Sequence, residues 1–322
     1  MKRLDHYWYS LNPVALSLAP ISWLFCLLVQ LRRVLYRFGW LRSFRVTVPV
    51  IVVGNITVGG SGKTPLVIWL ANFLRSHGFR PGIVSRGYGG RATEWPQEVS
   101  AASDPAMVGD EPVLIASLSG CPLTAGPDRV AAAQTLLERH GCDVIISDDG
   151  MQHYRLRRDV EIAVVDVERR SGNGFCLPAG PLREPVTRLH SVDMVVGNGG
   201  AAAGEYGMTL EPTLVRRLVD GTVRPLRDWA GLRVHAVAGI GNPPRFFAML
   251  RAHGVVVEEH PFADHHAYDA GDIRFDDDAP VLLTEKDAVK CTAHADQRHW
   301  AVAVQAQLPD AFGARLLELL KR

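Results

Sequence analysis

Apolar and polar positions along the chain alternate between two periods. Short apolar runs rich in β-branched residues fall at 49–53, 82–85, 143–147, 162–166, 193–197, 234–238, 255–257, 281–284 and 301–304, which reads as strands. Between them, apolar positions recur at steps of three and four over 65–77, 110–118, 127–140, 243–252 and 310–321, which predicts helices. Alternating strands and helices imply an α/β fold with a mostly parallel sheet covered on both faces. Ligands of such sheets bind beyond the carboxyl ends of the strands, so the residues that close each run are the ones to read for chemistry.

The pattern also divides the chain. Residues 197–204, rich in glycine and alanine, read as a flexible loop rather than a site. Residues 209–227 read as strand-like linker material, and a second βα series starts at Val234. The expected organisation is a membrane-associating helix at 1–36, a core at 37–228, a smaller second α/β lobe at 229–308, and a last helix at 309–322 returning to the core.

The first strand runs into Gly54-Asn-Ile-Thr-Val-Gly-Gly-Ser-Gly-Lys-Thr-Pro65, directly before the apolar start of a helix. Strand, glycine-rich turn and helix N-terminus in that order make a phosphate-binding loop, in which backbone N–H groups and the helix dipole face an anion. Thr57, Gly59, Gly60, Ser61, Gly62, Lys63 and Thr64 are the expected nucleotide-binding residues. Lys63 reaches the β/γ-phosphates and the Thr64 hydroxyl holds a magnesium ion. The strict pattern has a glycine at position 57, where this chain has Thr57. The core is therefore that of a P-loop NTPase, with ATP and Mg²⁺ as expected cofactors.

Other strand ends add candidate chemistry. The run 143–147 ends in Asp148-Asp149-Gly150. That is good turn chemistry, but beside a P-loop two such acids are expected to hold the magnesium shell. Gly109-Asp110-Glu111-Pro112 opens a helical pattern, so Asp110 reads either as an N-cap or as a carboxylate able to take a proton from a substrate hydroxyl. Ser85-Arg86-Gly87-Tyr88 puts an arginine and a tyrosine on a mobile loop. Arg129 and Arg183 sit on two further loops, and three such arginines on one rim would cradle an anionic substrate. His265 and His266 are adjacent and point to different sides of the chain, so one of them is a catalytic partner only if the lobes face each other. Thr284-Glu285-Lys286-Asp287 does not fit the Asn-Lys-x-Asp pattern that reads guanine, which argues against a GTPase.

Charge and cysteine usage narrow the setting. The 322 residues have a formal net charge of +1, which predicts no general affinity for nucleic acid. The first fifty carry seven Lys/Arg (Lys2, Arg3, Arg32, Arg33, Arg37, Arg42, Arg45) against Asp5 alone, so +6 there leaves −5 on the remainder. No Asp, Glu, Lys or Arg occurs between His6 and Leu31, and arginines follow at once. A full membrane span needs about 20 apolar residues, and Pro13 and Pro20 are expected to leave a shorter uninterrupted helix. The reading is a helix lying in the cytoplasmic leaflet, with Trp8, Trp23 and Trp40 at headgroup level and the arginines on phosphates. A helix packed on the protein's own core and a true span are the alternatives. The five scattered cysteines give neither a disulfide framework nor a zinc motif, and a reducing cytosolic environment is expected for the body.

Taken together, the P-loop, Ser85-Arg-Gly-Tyr-Gly89, Gly109-Asp-Glu-Pro112, Asp148-Asp-Gly-Met-Gln-His153, Pro178-Ala-Gly-Pro-Leu-Arg-Glu-Pro185, Asp264-His265 and Thr284-Glu-Lys-Asp-Ala-Val-Lys290 resemble the tetraacyldisaccharide 4′-kinases of Gram-negative lipid A synthesis. Met151 stands where that family has phenylalanine. The resemblance implies transfer of the ATP γ-phosphate to the 4′-hydroxyl of a tetraacyldisaccharide 1-phosphate, a lipid A precursor, at the cytoplasmic face of the inner membrane. It implies that Asp110, tuned by His265, is the general base, and that Lys63 and Thr64 serve ATP and Mg²⁺ with Asp148 and Asp149. It further implies that Glu184 supports the nucleotide site and that Tyr88, Arg129 and Arg183 face the lipid headgroup, with Arg86 on the same loop as Tyr88. A monomer is expected. The alternative function is a membrane-associated ATPase switch without a lipid acceptor; such proteins typically carry a second lysine where this chain has Val58.

Overall fold

The computed structural model describes residues 4–321, so Lys2 and Arg3 of the basic N-terminal segment lie outside the described residues. Among the described residues, thirteen strands form one sheet. They are β1 (Val50–Gly54), β2 (Pro81–Ser85), β3 (Gln97–Val99), β4 (Leu123–Ala125), β5 (Val144–Ser147), β6 (Val160–Asp166), β7 (Met194–Asn198), β8 (Tyr206–Arg217), β9 (Val223–Pro225), β10 (Arg233–Ala238), β11 (Val256–Pro261), β12 (Val281–Thr284) and β13 (His299–Gln307). The α-helices are α1 (Pro13–Arg37), α2 (Lys63–Ser76), α3 (Pro105–Val108), α4 (Asp110–Ser119), α5 (Arg129–His140), α6 (Pro243–Ala252), α7 (Glu285–Cys291) and α8 (Asp310–Leu320).

Strand order is β11-β10-β12-β13-β8-β7-β6-β1-β5-β2-β4-β3, with β9 paired to β8. Pairing is parallel except at β8–β13, β8–β9 and β3–β4. The segment read as linker material is in fact the twelve-residue β8, which joins the two halves. Its first residues pair in parallel with β7, and the rest pair antiparallel with β13. The three-residue β3 and β4 are too short to show a period, and α7 has only seven residues, so none of these was legible as an element.

Each half has apolar layers on both faces. In the first, Leu66, Leu70 and Leu74 of α2 lie on one face against Ile51, Val53 and Ile146. Phe312, Leu316 and Leu319 of α8 belong to that same cluster. In the second half, Phe246, Phe247 and Leu250 of α6 cover Val234, Ala236 and Ala238 of β10. Truncating a fully buried leucine such as Leu70 to alanine costs about 2–5 kcal/mol in cores of this kind.

Helix α1 corrects the expectation drawn from its prolines. Pro13 is the first helical residue, behind the N-cap Asn12, whose Oδ1 accepts from Ala15 N at 2.9 Å. Pro20 lies inside the helix, which continues for 25 residues and is long and apolar enough to cross a membrane. Tertiary contacts carry it through the proline. Ala15, Ala19 and Ser22 form a small-residue face packed on the body, where Ser22 Oγ donates to Cys176 O at 2.7 Å. Away from that face the helix leaves Leu16, Trp23, Leu24, Leu27, Leu28 and Leu31 exposed, and Trp40, just past its end, is exposed as well. Trp8 differs from those two tryptophans, since its Nε1 donates to Pro178 O at 3.0 Å and ties it to the body.

Candidate active site

Strand ends from both halves open on one cleft of about 900 Å³. The first half contributes 58–64, Arg86, Tyr88, Asp149, Asp166, Arg183 and Asn198; the second contributes 240–242, Arg245, Asp264, His265 and Lys286. The loop after β1 is tied at Thr57 and Val58 to the segment that carries Arg183. Val58 N donates to Pro181 O at 2.8 Å, and Thr57 forms an isolated bridge with Leu182. Gly62 takes φ 93° as the N-cap of α2, a left-handed conformation that glycine adopts without strain. Lys63 is therefore the first helical residue and Thr64 the second, both lining the cleft.

Beneath the loop sits the acid pair at the end of β5. Asp149 has a left-handed φ of 46° and faces Lys63 Nζ at 3.5 Å and Arg183 Nη1 at 3.1 Å. Burial alone would raise its pKa, but Lys63 and Arg183 outweigh that and hold the carboxyl at about 2. Asp148 is 2 % exposed; burial, with the charges of Glu111 and Asp149, pushes its carboxyl well above the usual range. Its Oδ2 accepts from Ser85 Oγ at 3.1 Å, whereas its buried Oδ1 has no partner.

Where Glu111, His265 and Lys286 line the cleft, the buried Asp110 meets His265 across the two halves. His265 Nδ1 lies 3.1 Å from Asp110 Oδ2, and His265 Nε2 lies 3.3 Å from Lys286 Nζ. A lysine ammonium donates to that nitrogen, which puts the ring proton on Nδ1, towards the carboxylate. His266 turns away to Asp272 at 2.9 Å. Burial works to raise the pKa of Asp110, yet the His265 hydrogen bond and the lysines lower it overall; the same bond raises that of His265. Asp110 is not the N-cap expected for α4. Gly109 holds that position, and Asp110, as first helical residue, accepts from its neighbour Glu111 N at 2.9 Å.

The expected arginine rim forms only in part. Arg86 and Tyr88 are exposed at the cleft, and the Tyr88 ring lies 5.1 Å from that of His265. Arg183 lines the cleft but is engaged by Asp149. Arg129 is 2 % exposed and lies under the rim, with Nη1 on Gly126 O at 2.9 Å and Nη2 on Asp148 O at 3.3 Å. Burial lowers its pKa to about 10. Glu184 is buried as well. It accepts from Gln152 Nε2 at 2.7 Å and Tyr154 OH at 2.5 Å, and pairs with Arg188 at 3.3 Å. Through Gln152, which also donates to Asn55 O at 3.1 Å, it braces the entry to the loop. Thr57 lines a smaller pocket with Val164 and Arg170 rather than the cleft.

A family model described as tetraacyldisaccharide-1-P 4′-kinase matches residues 14–321. The chain belongs to that family. A tetraacyldisaccharide 4′-kinase of Nitrosococcus oceani is 53 % identical over 316 residues, covering 98 % of this chain and 94 % of the relative. One from Alkalilimnicola ehrlichii is 54 % identical over 332 residues, covering 100 % and 98 %. The solved structure of LpxK from Aquifex aeolicus in complex with ATP superposes with a TM-score of 0.81 at 29 % identity, covering 95 % of this chain and 99 % of that one. The fold and the kinase class expected from the sequence thus stand.

Several cleft residues of this 4′-kinase fold escaped the sequence reading. Asn198 lies in the stretch read as a plain loop, but it closes β7, is 4 % exposed, and its Nδ2 donates to Ser61 O at 3.1 Å. Arg245 reaches it from the second half, with Nη2 at 3.4 Å from Asn198 Oδ1 and Nη1 at 3.7 Å from Asp166 Oδ2. Lys286 joins Glu111 at 3.0 Å to Asp264 at 3.2 Å. The available signal was position, since Asp166 and Asn198 end strands and Lys286 stands two residues past the end of β12.

Proposed function

We propose that the chain transfers the γ-phosphate of ATP to the 4′-hydroxyl of a tetraacyldisaccharide 1-phosphate, with Asp110 as the base and His265 as the group that tunes it. The activity is the family's; the division of labour among residues is our reading. One observation carries it: a buried carboxylate, bound to a histidine that comes from the other half and lines the same cleft as the P-loop lysine. Such a carboxylate can take the proton of a hydroxyl as its oxygen attacks phosphorus, and general bases of this kind contribute about 10²–10⁴-fold.

Phosphoryl transfer otherwise requires positioning and charge neutralisation. The loop N–H groups and Lys63 bind the β/γ-phosphates, and Arg86, Tyr88 and Arg183 meet the anionic headgroup. Arg129 acts from below, through Asp148, and Glu184 through Gln152. The donor set also fits Mg²⁺. Asp148 has a buried oxygen without a partner, and with Asp149 and Thr64 it offers the hard oxygens this ion takes. When bound, Mg²⁺ neutralises phosphate charge.

In this reading residues 1–36 associate with the cytoplasmic face of the inner membrane, 37–228 hold ATP, 229–308 close over it, and 309–322 pack on the core. The chain acts as a monomer. The decisive assay supplies purified protein with [γ-³²P]ATP, Mg²⁺ and detergent-dispersed disaccharide 1-phosphate lipid. Label is expected in the lipid; label released only as inorganic phosphate would overturn the reading.

A further inference from the structure

We propose that His235, Glu258 and His260 form a site for one divalent transition-metal ion of the zinc class, with Asp277 orienting His235. The site lies in the second half, outside the cleft. Parallel pairing of β10 with β11 places His235 opposite Glu258 and Val237 opposite His260. Residues paired in register share a face, and so do residues two apart on one strand. All three ligands therefore project from the face opposite the one that α6 covers.

Their ligand atoms converge within 4.8 Å of one another. His235 Nδ1 is 3.0 Å from His260 Nε2 and 3.8 Å from Glu258 Oε1. Asp277 Oδ1 sits 2.9 Å from His235 Nε2 and accepts its proton, which leaves the Nδ1 lone pair turned into the cluster. A carboxylate behind a ligating imidazole is the usual outer support of such sites. Phe275 stacks on His235 at 3.9 Å and lies 4.3 Å from His260, fixing both rings. Arg233 Nη2 occupies Glu258 Oε2 at 2.7 Å, so Oε1 remains the oxygen that faces the histidines.

The dimensions suit zinc. Bonds of about 2.0–2.1 Å in tetrahedral array put two ligand nitrogens about 3.3 Å apart, a few tenths of an ångström wider than here. Glu258 is half-exposed and free to close the third bond, with water as a fourth ligand. Two imidazoles and one carboxylate select zinc, nickel or copper over magnesium, which separates this site from the all-oxygen set at Asp148. His260 and Asp277 also flank the segment that carries His265, so the ion would clip both ends of that segment.

The test uses untagged full-length protein in detergent, stripped with chelator and held in excess Mg²⁺. Titration with Zn²⁺ is expected to saturate at one ion per chain and to raise Tm, and Co²⁺ in its place is expected to show the intense absorption of a four-coordinate site. His260→Gln is expected to weaken Zn²⁺ binding at least about tenfold and to abolish the rise in Tm; should it fail to fold, Glu258→Gln carries the same comparison. Zn²⁺ binding equally tight in wild type and variant, or only the pale six-coordinate Co²⁺ spectrum, overturns the proposal.

Discussion

His265 Nδ1 lies 3.1 Å from Asp110 Oδ2, although the two stand 155 positions apart in the chain. The contact joins the half of the sheet that carries the P-loop to the half that covers it. Without His265, the largest lowering contribution on Asp110 is gone, and burial counts for more against the lysines that remain, so its pKa rises. A base must be unprotonated to act, so His265→Ala should move the acid limb of the kcat/KM profile to higher pH. An acid limb that stays where it was in wild type would remove Asp110 from the role of titrating base.

Asp110→Ala removes that base while leaving the P-loop untouched. Turnover should fall by about 10²–10⁴-fold, with ATP affinity changed by less than about threefold. A lost ATP affinity with intact turnover would instead mark Asp110 as a residue that merely starts α4. Single-turnover rates and equilibrium ATP binding separate the two results.

Asp148 sets stability against activity. Its folded pKa is raised, so above the ordinary carboxylate pKa the unfolded chain releases the proton more readily, and the fold is penalised as pH rises. Asp148→Asn should therefore raise Tm at pH 8 without Mg²⁺, by about 1–2 °C per kcal/mol relieved. The gain should vanish below about pH 4, where the carboxyl is protonated in both states, and turnover should be lost at every pH. A Tm that falls at pH 8 would contradict the burial argument.

The local pieces of this site were legible because neighbours along the chain make them. Strand, glycine turn and Gly62-Lys63-Thr64 form one contiguous unit, and Asp148-Asp149 follows directly from a strand. What tertiary packing decides was not legible. Pro20 reads as a helix breaker until Ala15, Ala19 and Ser22 are seen packed on the body. Arg129 reads as a rim residue until its guanidinium is found beneath Asp148. The choice between His265 and His266 needed the two halves to face each other, and strand alternation alone favoured neither.

The two halves also meet at one close backbone approach. A Cβ added at Gly241 would stand 2.8 Å from Gly60 N, while Arg169 Nη2 donates to Gly241 O at 2.6 Å. Both partners are main chain or held tightly, so neither yields cheaply. Gly241→Ala should hold the second half away from the P-loop, cutting lipid phosphorylation at least about tenfold and raising the share of ATP lost to water. Unchanged partition between lipid and water would show that the approach is incidental.

Helix α1 turns Leu24, Leu27, Leu28 and Leu31 away from the body. If that face enters the bilayer interface, each leucine contributes about 1.5–3 kcal/mol when removed from water. Leu24→Ser with Leu28→Ser should then release most of the protein from anionic vesicles in a sedimentation assay. Neither residue belongs to the packed face of Ala15, Ala19 and Ser22, so Tm should hold within about 2 °C. Activity on detergent-dispersed lipid should also hold, while activity on lipid presented in vesicles should drop with binding. Full vesicle binding by the double variant would place the anchor elsewhere, with the arginines at 32, 33, 37 and 42 the next residues to change.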